Sequence, residues 1–410
     1  MSDGPRCRFD GLPLRHVFVD LGVSPLANSY VKPGDLGKGE TFYPLRAYVS
    51  ERTFLVQLEE FEAPEAIFSD YAYFSSFSDS WLDHARAYVE DAVGRFRLDD
   101  RSQVVEIASN DGYLLQYFAE KKVPVLGIEP ARNVAAAAIE KGIPTQVCFF
   151  GADTATRLRS EGRAADLIVA NNVLAHAPNV NDFVAGIRIL LRSGGRATLE
   201  FPHLLRLAEE TQFDTIYHEH FFYFSLLALE TVFAAHGLAV FDVEELSTHG
   251  GSLRLHVSHA SEARAPSAAV ARVREAERAY GLDRLETYFA FGERVHRVKR
   301  ELLTFLIGAK ERGERVVGYG APAKGNTLLN YCGIRSDLLD FTVDRSPHKQ
   351  GTFLPGTRIP VFGPDAVREA RPDYLLILPW NLKDEIAGQM SHIREWGGRF
   401  VTPIPRLEVF

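Results

Sequence analysis

Between residues 103 and 201 the chain repeats one pattern four times: a short apolar run, a turn of small or polar residues, and a stretch suited to a helix. Val104-Val105-Glu106-Ile107 leads into Ala108-Ser109-Asn110-Asp111-Gly112, and Val125-Leu126-Gly127-Ile128 ends at Glu129. Ala165 to Ala170 runs into Asn171-Asn172, and Arg196 to Phe201 follows the helix-like Val184 to Leu191 and the turn Gly194-Gly195. Four strands alternating with helices build a parallel sheet flanked by helices on both faces. The fold class expected is therefore α/β, a doubly wound sheet that takes its ligand at the carboxyl ends of the strands.

The residues at those ends indicate the ligand. Small side chains at Ala108, Ser109 and Gly112 let backbone approach a ligand closely, with the N–H groups of the following helix facing it. Ala108 is expected at negative φ, since only there is its methyl tolerated. Glu129, about twenty residues on, is placed to accept hydrogen bonds from ribose hydroxyls. The turn lacks the G-x-G-x-x-G of dinucleotide enzymes. It resembles the E/D-x-G-x-x-x-G turn of class I S-adenosylmethionine-dependent methyltransferases, here Glu106-x-Ala108-x-x-x-Gly112. That resemblance makes Glu106, Ala108, Asn110, Asp111, Gly112, Glu129, Asn171 and Asn172 the candidate cofactor residues.

Composition narrows the partners. A chain of 410 residues, 46% hydrophobic and 24% charged, is long enough for two or three domains with full cores. Its net charge of -8 gives no reason to expect nucleic acid or an anionic membrane surface. No apolar run approaches the roughly 18 residues needed to span a bilayer, and the polar start lacks a signal-peptide core, so a cytoplasmic location is expected. Cys7, Cys148 and Cys332 are widely separated and odd in number, as reduced thiols would be.

Tyr217-His218-Glu219-His220, set among Phe221, Phe222, Tyr223 and Phe224, concentrates groups for proton transfer in an apolar setting. By itself it also suits a polar edge strand or half of a metal site. Turn formers separate short β-type runs in residues 1–77, Ala260 to Gly292 reads as a long helical connector, and Glu314 to Asn326 reads as a strand and glycine-rich turn. That turn suits equally the tight first turn of a second α/β domain and a site where Lys324 and backbone N–H groups hold a diphosphate, with Asn326 a further candidate for the substrate. Trp380 and Asn381, after a later strand, are placed to stack on a base and hydrogen-bond it.

The runs Val105 to Gly112, Asn171 to His176 and Tyr217 to His220 together resemble the sugar C-methyltransferases that act on dTDP-linked 4-keto deoxysugars, over nearly the whole chain. The resemblance implies an N-terminal module (1–77), an S-adenosylmethionine-binding domain (78–284) and a Rossmann-like nucleotide-sugar domain (285–410). It also implies methylation next to the ketone, with C3 as the expected carbon, Tyr71 as a lid over the sugar and Tyr223 as a further contact. Family members carry two C-x-x-C pairs for zinc in the first module. Here the matching positions are Cys7, Asp10, Val49 and Arg52, so three of four thiolates are missing and zinc is expected to be absent.

Carbon methylation of this kind needs an enolate, because an sp³ C–H is not nucleophilic. His220 is the expected base, Glu219 and Tyr217 orient it or donate to the enolate oxygen, and His176 shares that donor role. An O- or N-methyltransferase, or methylation at C5, are the alternatives. An NAD-dependent oxidoreductase built on Gly318-x-Gly320 is opposed by Lys324 within the turn and by the lack of a third glycine.

Overall fold

The computed structural model describes residues 4–62, 74–77, 79–262 and 264–410. Tyr71 lies outside the described residues.

The repeated pattern forms the centre of a seven-stranded sheet. Its order is Leu238–Leu246, Ser252–His259, Leu191–Pro202, Ala165–Asn171, Val104–Ile107, Val125–Ile128 and Thr145–Gln146. The last five run parallel, and Ser252–His259 is antiparallel to both of its neighbours. All four residues of Val104–Ile107 are buried, as a two-faced strand requires. The antiparallel hairpin was not among the sequence expectations, yet it closes the sheet edge beside the site.

A second sheet joins His16–Ser24, Tyr43–Val49 and Val56–Leu58 to Phe222–Tyr223, a strand that begins two residues past His220. Val56 opposes Tyr223 and Gln57 opposes Phe222. The third sheet, in the order Val361–Phe362, Thr342–Val343, Val316–Tyr319, Tyr374–Ile377, Arg399–Thr402 and Glu408–Val409, is parallel except for its last strand. This is the Rossmann-like arrangement expected for the C-terminal part.

The N-terminal module and the C-terminal domain share one apolar core: Phe18 stacks on Phe291 with centroids 4.4 Å apart, and Phe213, Ile216, Leu328 and Trp380 belong to the same cluster. The single connector expected over 260–292 is broken into two helices, Ala268–Tyr280 and Leu285–Phe289, before the long helix Phe291–Glu311 that precedes the third sheet. Gly281 ends the first in the left-handed region at φ +98°, its N–H bonded to Glu277 O, and so breaks a helix that composition alone would continue. Among the described residues, no helix is long and apolar enough to cross a membrane.

Candidate active site

At the first strand end the chain turns through left-handed residues. Ala108 has φ +57°, Asn110 +49° and Gly112 +77°. The expectation of a negative φ at Ala108 is thus corrected: the alanine sits where glycine is favoured, at a cost of roughly 1–2 kcal/mol. Gly112 is fixed by packing as well as by φ, because a Cβ there would lie 3.1 Å from Ile143 Cγ1. Ser109 faces the neighbouring strand, and a Cβ on Gly127 would meet its Oγ at 2.3 Å. The following helix begins only at Leu115, so the turn, rather than a helix N-terminus, lines this end of the sheet.

Glu129 accepts from the N–H groups of Asn110 (2.9 Å) and Ala131 (2.8 Å), which fixes its carboxylate against the turn. Asn110 Oδ1 accepts from Ser75 N at 3.0 Å, and Asp111 pairs with Lys141 at 3.1 Å. Burial pushes the Glu106 carboxyl well above its ordinary range, and Glu129 and Asp111 add to the rise, with the Tyr113 hydroxyl opposing. At the next strand end, Asn172 has φ +52° and donates its N–H to Glu200 O. Asn171 Oδ1 and Asn172 Oδ1 are buried acceptors with no hydrogen-bond partner among the described residues. Open acceptors and carboxylates at one edge suit a ligand that carries an ammonium, a sulfonium and ribose hydroxyls.

Tyr217 to His220 is a tight turn, closed by His220 N to Tyr217 O at 2.9 Å, which brings the first and last side chains together. All three parts of the molecule hold it. His218 Nε2 donates to Pro44 O (3.1 Å) and Asn28 Nδ2 donates to Glu219 Oε1 (2.7 Å), both partners lying in the N-terminal module. Phe221 N donates to Ala175 O (2.7 Å) in the central domain, and Thr327 Oγ1 donates to Ile216 O (3.2 Å) from the C-terminal domain. His218 is therefore a packing residue. Tyr223 is buried in the strand behind the turn, its ring 6.2 Å from that of His220.

His220 Nδ1 donates to Thr215 O at 3.0 Å, which leaves Nε2 as the ring's lone-pair nitrogen, and the Tyr217 hydroxyl donates to it at 2.9 Å. His176 repeats the arrangement: Nδ1 donates to Glu219 O at 2.8 Å, and its ring lies 4.7 Å from that of His220. Burial lowers both, His176 to about 4 and His220 well below its usual value. Both rings are thus neutral near pH 7. In that state His176 Nε2 accepts and cannot donate, so the expected donor role does not follow from its geometry.

Glu219 is only 3% exposed, and burial pushes its carboxyl up to about 7 against the opposing Asn28 bond. A carboxyl raised in the folded state contributes stability below its unfolded value, near 4.5, that is lost as pH rises through about 7. Glu219→Gln is accordingly expected to gain stability relative to the wild type on going from pH 5 to pH 8. Thermal unfolding at both pH values checks this, and an unchanged difference would contradict it.

The C-terminal candidates divide. Lys324 Nζ donates to Asn381 Oδ1 (2.6 Å) and lies 4.9 Å over the Trp380 ring, and its charge acts on His220 and Asp214. Trp380 is 6% exposed and its Nε1 donates to Asp214 Oδ2 at 2.8 Å, so its ring is committed to the core rather than open for a base. Asn326 is buried and donates to Ala27 O at 2.6 Å, which joins the C-terminal domain to the N-terminal module. Burial raises Asp214 to about 6, with Lys324 opposing. Asn28, Asp214 and His249 were missed from sequence because their partners lie far away along the chain; Asn28 is 191 residues from Glu219.

Three family models match successive parts of the chain: a putative zinc binding domain over 7–68, a methyltransferase domain over 81–243, and a C-methyltransferase C-terminal domain over 247–405. The C-methyltransferase NovU of Streptomyces niveus is 37% identical over 391 residues, covering 95% of this chain and 93% of that protein. Among solved structures, the PH0226 protein of Pyrococcus horikoshii OT3 aligns over 48% of this chain and 99% of its own, at 13% identity and a TM-score of 0.38. The magnesium protoporphyrin IX methyltransferase of Synechocystis PCC 6803, solved with bound SAM, aligns over 43% of this chain and 77% of its own, at 15% identity and a TM-score of 0.32.

Proposed function

The chain belongs to the C-methyltransferase family and takes its methyl group from S-adenosylmethionine; on that premise we propose that it methylates a dTDP-linked 4-keto deoxysugar at C3 through an enolate. The observation that carries this reading is the turn at Tyr217 to His220. It presents the lone pair of a neutral imidazole beside a phenol and a carboxyl, held by the N-terminal, central and C-terminal parts of the chain alike.

His220 Nε2 takes the proton from C3, whose bonding pair becomes the C3–C4 double bond while the ketone oxygen takes up negative charge. Tyr217 donates to that oxygen, and Glu219, with its carboxyl near 7, is the second available donor. Nδ1 of His220 remains bonded to Thr215 O, so the ring does not turn as it gains charge. Glu106, Glu129, Asn171 and Asn172 would hold S-adenosylmethionine, which when bound would supply the electrophilic methyl group for the enolate carbon. Lys324 and Asn381 face the anionic part of the sugar nucleotide. A dianionic diphosphate there raises the basicity of His220, against the effect of Lys324 alone.

Mass spectrometry of the protein incubated with S-adenosylmethionine and a panel of dTDP-4-keto-6-deoxysugars tests the reading. The expected result is a product heavier by one methyl group, located on C3 by fragmentation. A methyl on oxygen, on nitrogen or at C5 contradicts it.

The zinc site of the first module is, in the same reading, absent from this chain. Cys7 is buried beside Leu14 and Tyr48, its Sγ accepts from Gln57 Nε2 at 3.3 Å, and burial raises its thiol rather than favouring a thiolate. Val49 is packed in the apolar core, and Asp10 Oδ1 accepts from Leu12 N at 3.1 Å. Elemental analysis of the purified protein is expected to find zinc well below one per chain. A stoichiometric content that survives dialysis contradicts this.

A further inference from the structure

His249 lies on the loop between the two antiparallel strands of the central sheet. Three residues in succession are left-handed: His249 at φ +56°, Gly250 at +91° and Gly251 at +114°. The glycines have no space for a side chain. A Cβ on Gly250 would lie 2.6 Å from Trp380 Cη2, and one on Gly251 would lie 2.7 Å from Arg206 Cγ. Gln212 Nε2 donates to Gly250 O at 2.7 Å, His203 N to Gly251 O at 3.0 Å, and Thr248 Oγ1 to Glu200 Oε1 at 3.1 Å. The loop is therefore clamped between the central sheet, the segment leading to the His220 turn, and Trp380 of the C-terminal domain.

What the clamp holds is a ring at the donor edge. Asn172 Nδ2 lies 3.3 Å from His249 Nε2, and the His249 ring is 5.3 Å from that of Trp81. With Nδ2 donated to His249, the Asn172 amide has one orientation, and its other atom, Oδ1, is the buried acceptor without a partner among the described residues. An Asn amide free to flip offers a donor and an acceptor in turn. A donor turned toward a cationic ligand would repel it.

We propose that His249 is a positioning residue for the methyl donor: by accepting from Asn172 Nδ2 it keeps Asn172 Oδ1 toward the cationic end of the ligand, and the contact of Gly250 with Trp380 ties that orientation to the C-terminal domain. This rests on the reading that the strand ends hold S-adenosylmethionine. The role differs from that of the His220 turn, since His249 takes no proton from the sugar.

Calorimetric titration of S-adenosylmethionine into the full chain, with steady-state kinetics, tests the proposal in three variants. His249→Phe keeps a ring near Trp81 and removes the acceptor, so donor Kd and KM are expected to rise by about tenfold, the worth of one hydrogen bond and the lost amide orientation. His249→Gln restores an acceptor and is expected within about threefold of wild type, the residue of an imperfect hydrogen bond. Gly250→Ala forces a methyl against Trp380 and is expected to weaken donor binding without altering the imidazole. In each case Kd rises more than kcat at saturating donor falls. Unchanged affinity in His249→Phe, or equal losses in His249→Phe and His249→Gln, overturns the proposal, as does a loss confined to kcat. Unchanged affinity in Gly250→Ala overturns the tie to the C-terminal domain. If the wild type itself fails to bind S-adenosylmethionine, the reading of the strand ends fails instead.

Discussion

His220→Asn is expected to lower methyl transfer by roughly a thousandfold, within the range removed with a general base, and to abolish exchange of the C3 proton with solvent. Asparagine can keep the bond to Thr215 O through Nδ2, so the turn stays closed and S-adenosylmethionine binds as in the wild type. The substitution takes away only the basic nitrogen. Single-turnover transfer and proton exchange, measured on one preparation, decide the matter. Exchange that survives in His220→Asn would move the base to His176, whose Nε2 also carries a lone pair, or to Glu219.

Tyr217→Phe is expected to lower both transfer and exchange by about a hundredfold, the effect of removing one hydrogen-bond donor from a developing oxyanion. The phenol donates to His220 Nε2 in the described structure, so it must leave that nitrogen for the enolate oxygen when the sugar arrives. Removing it thus frees the base while uncovering the oxyanion, and the second effect is the larger. Rates of exchange equal to wild type would assign the donor role to Glu219. That reassignment predicts a rate falling as pH rises through about 7, where the Glu219 carboxyl loses its proton.

Much of this was legible in the sequence because each signal was local. The first three core strands lie where the short apolar runs placed them, with Glu129, Asn171 and Asn172 at their ends, while the fourth begins at Leu191 and takes in Gly194-Gly195, which the sequence presented as a turn before Arg196. The His220 turn was visible as composition alone. What the sequence did not show depends on residues far apart along the chain. The Phe222–Tyr223 strand pairs with Val56–Leu58, more than 160 residues earlier, and Trp380 meets Asp214 across 166 residues. No periodicity announces such pairs. Ala108 was misjudged for the opposite reason: propensity argued for a negative φ, but the left-handed turns at Asn110 and Gly112 and the Glu129 bonds fix the backbone around it. His249-Gly250-Gly251 did carry a signal, a double glycine between two strands, but only the contacts with Trp380 and Asn172 give it meaning.

The most direct test of the central claim is proton exchange on the sugar without any methyl donor. The protein and a dTDP-4-keto-6-deoxysugar are incubated in deuterated water with S-adenosylmethionine omitted, and the recovered sugar is read by NMR at C3 and C5. Enolate chemistry driven by His220 predicts deuterium at C3, absent with His220→Asn. Methyl transfer from S-adenosylmethionine in a parallel reaction, with no deuterium entering at either α carbon, would contradict the enolate mechanism.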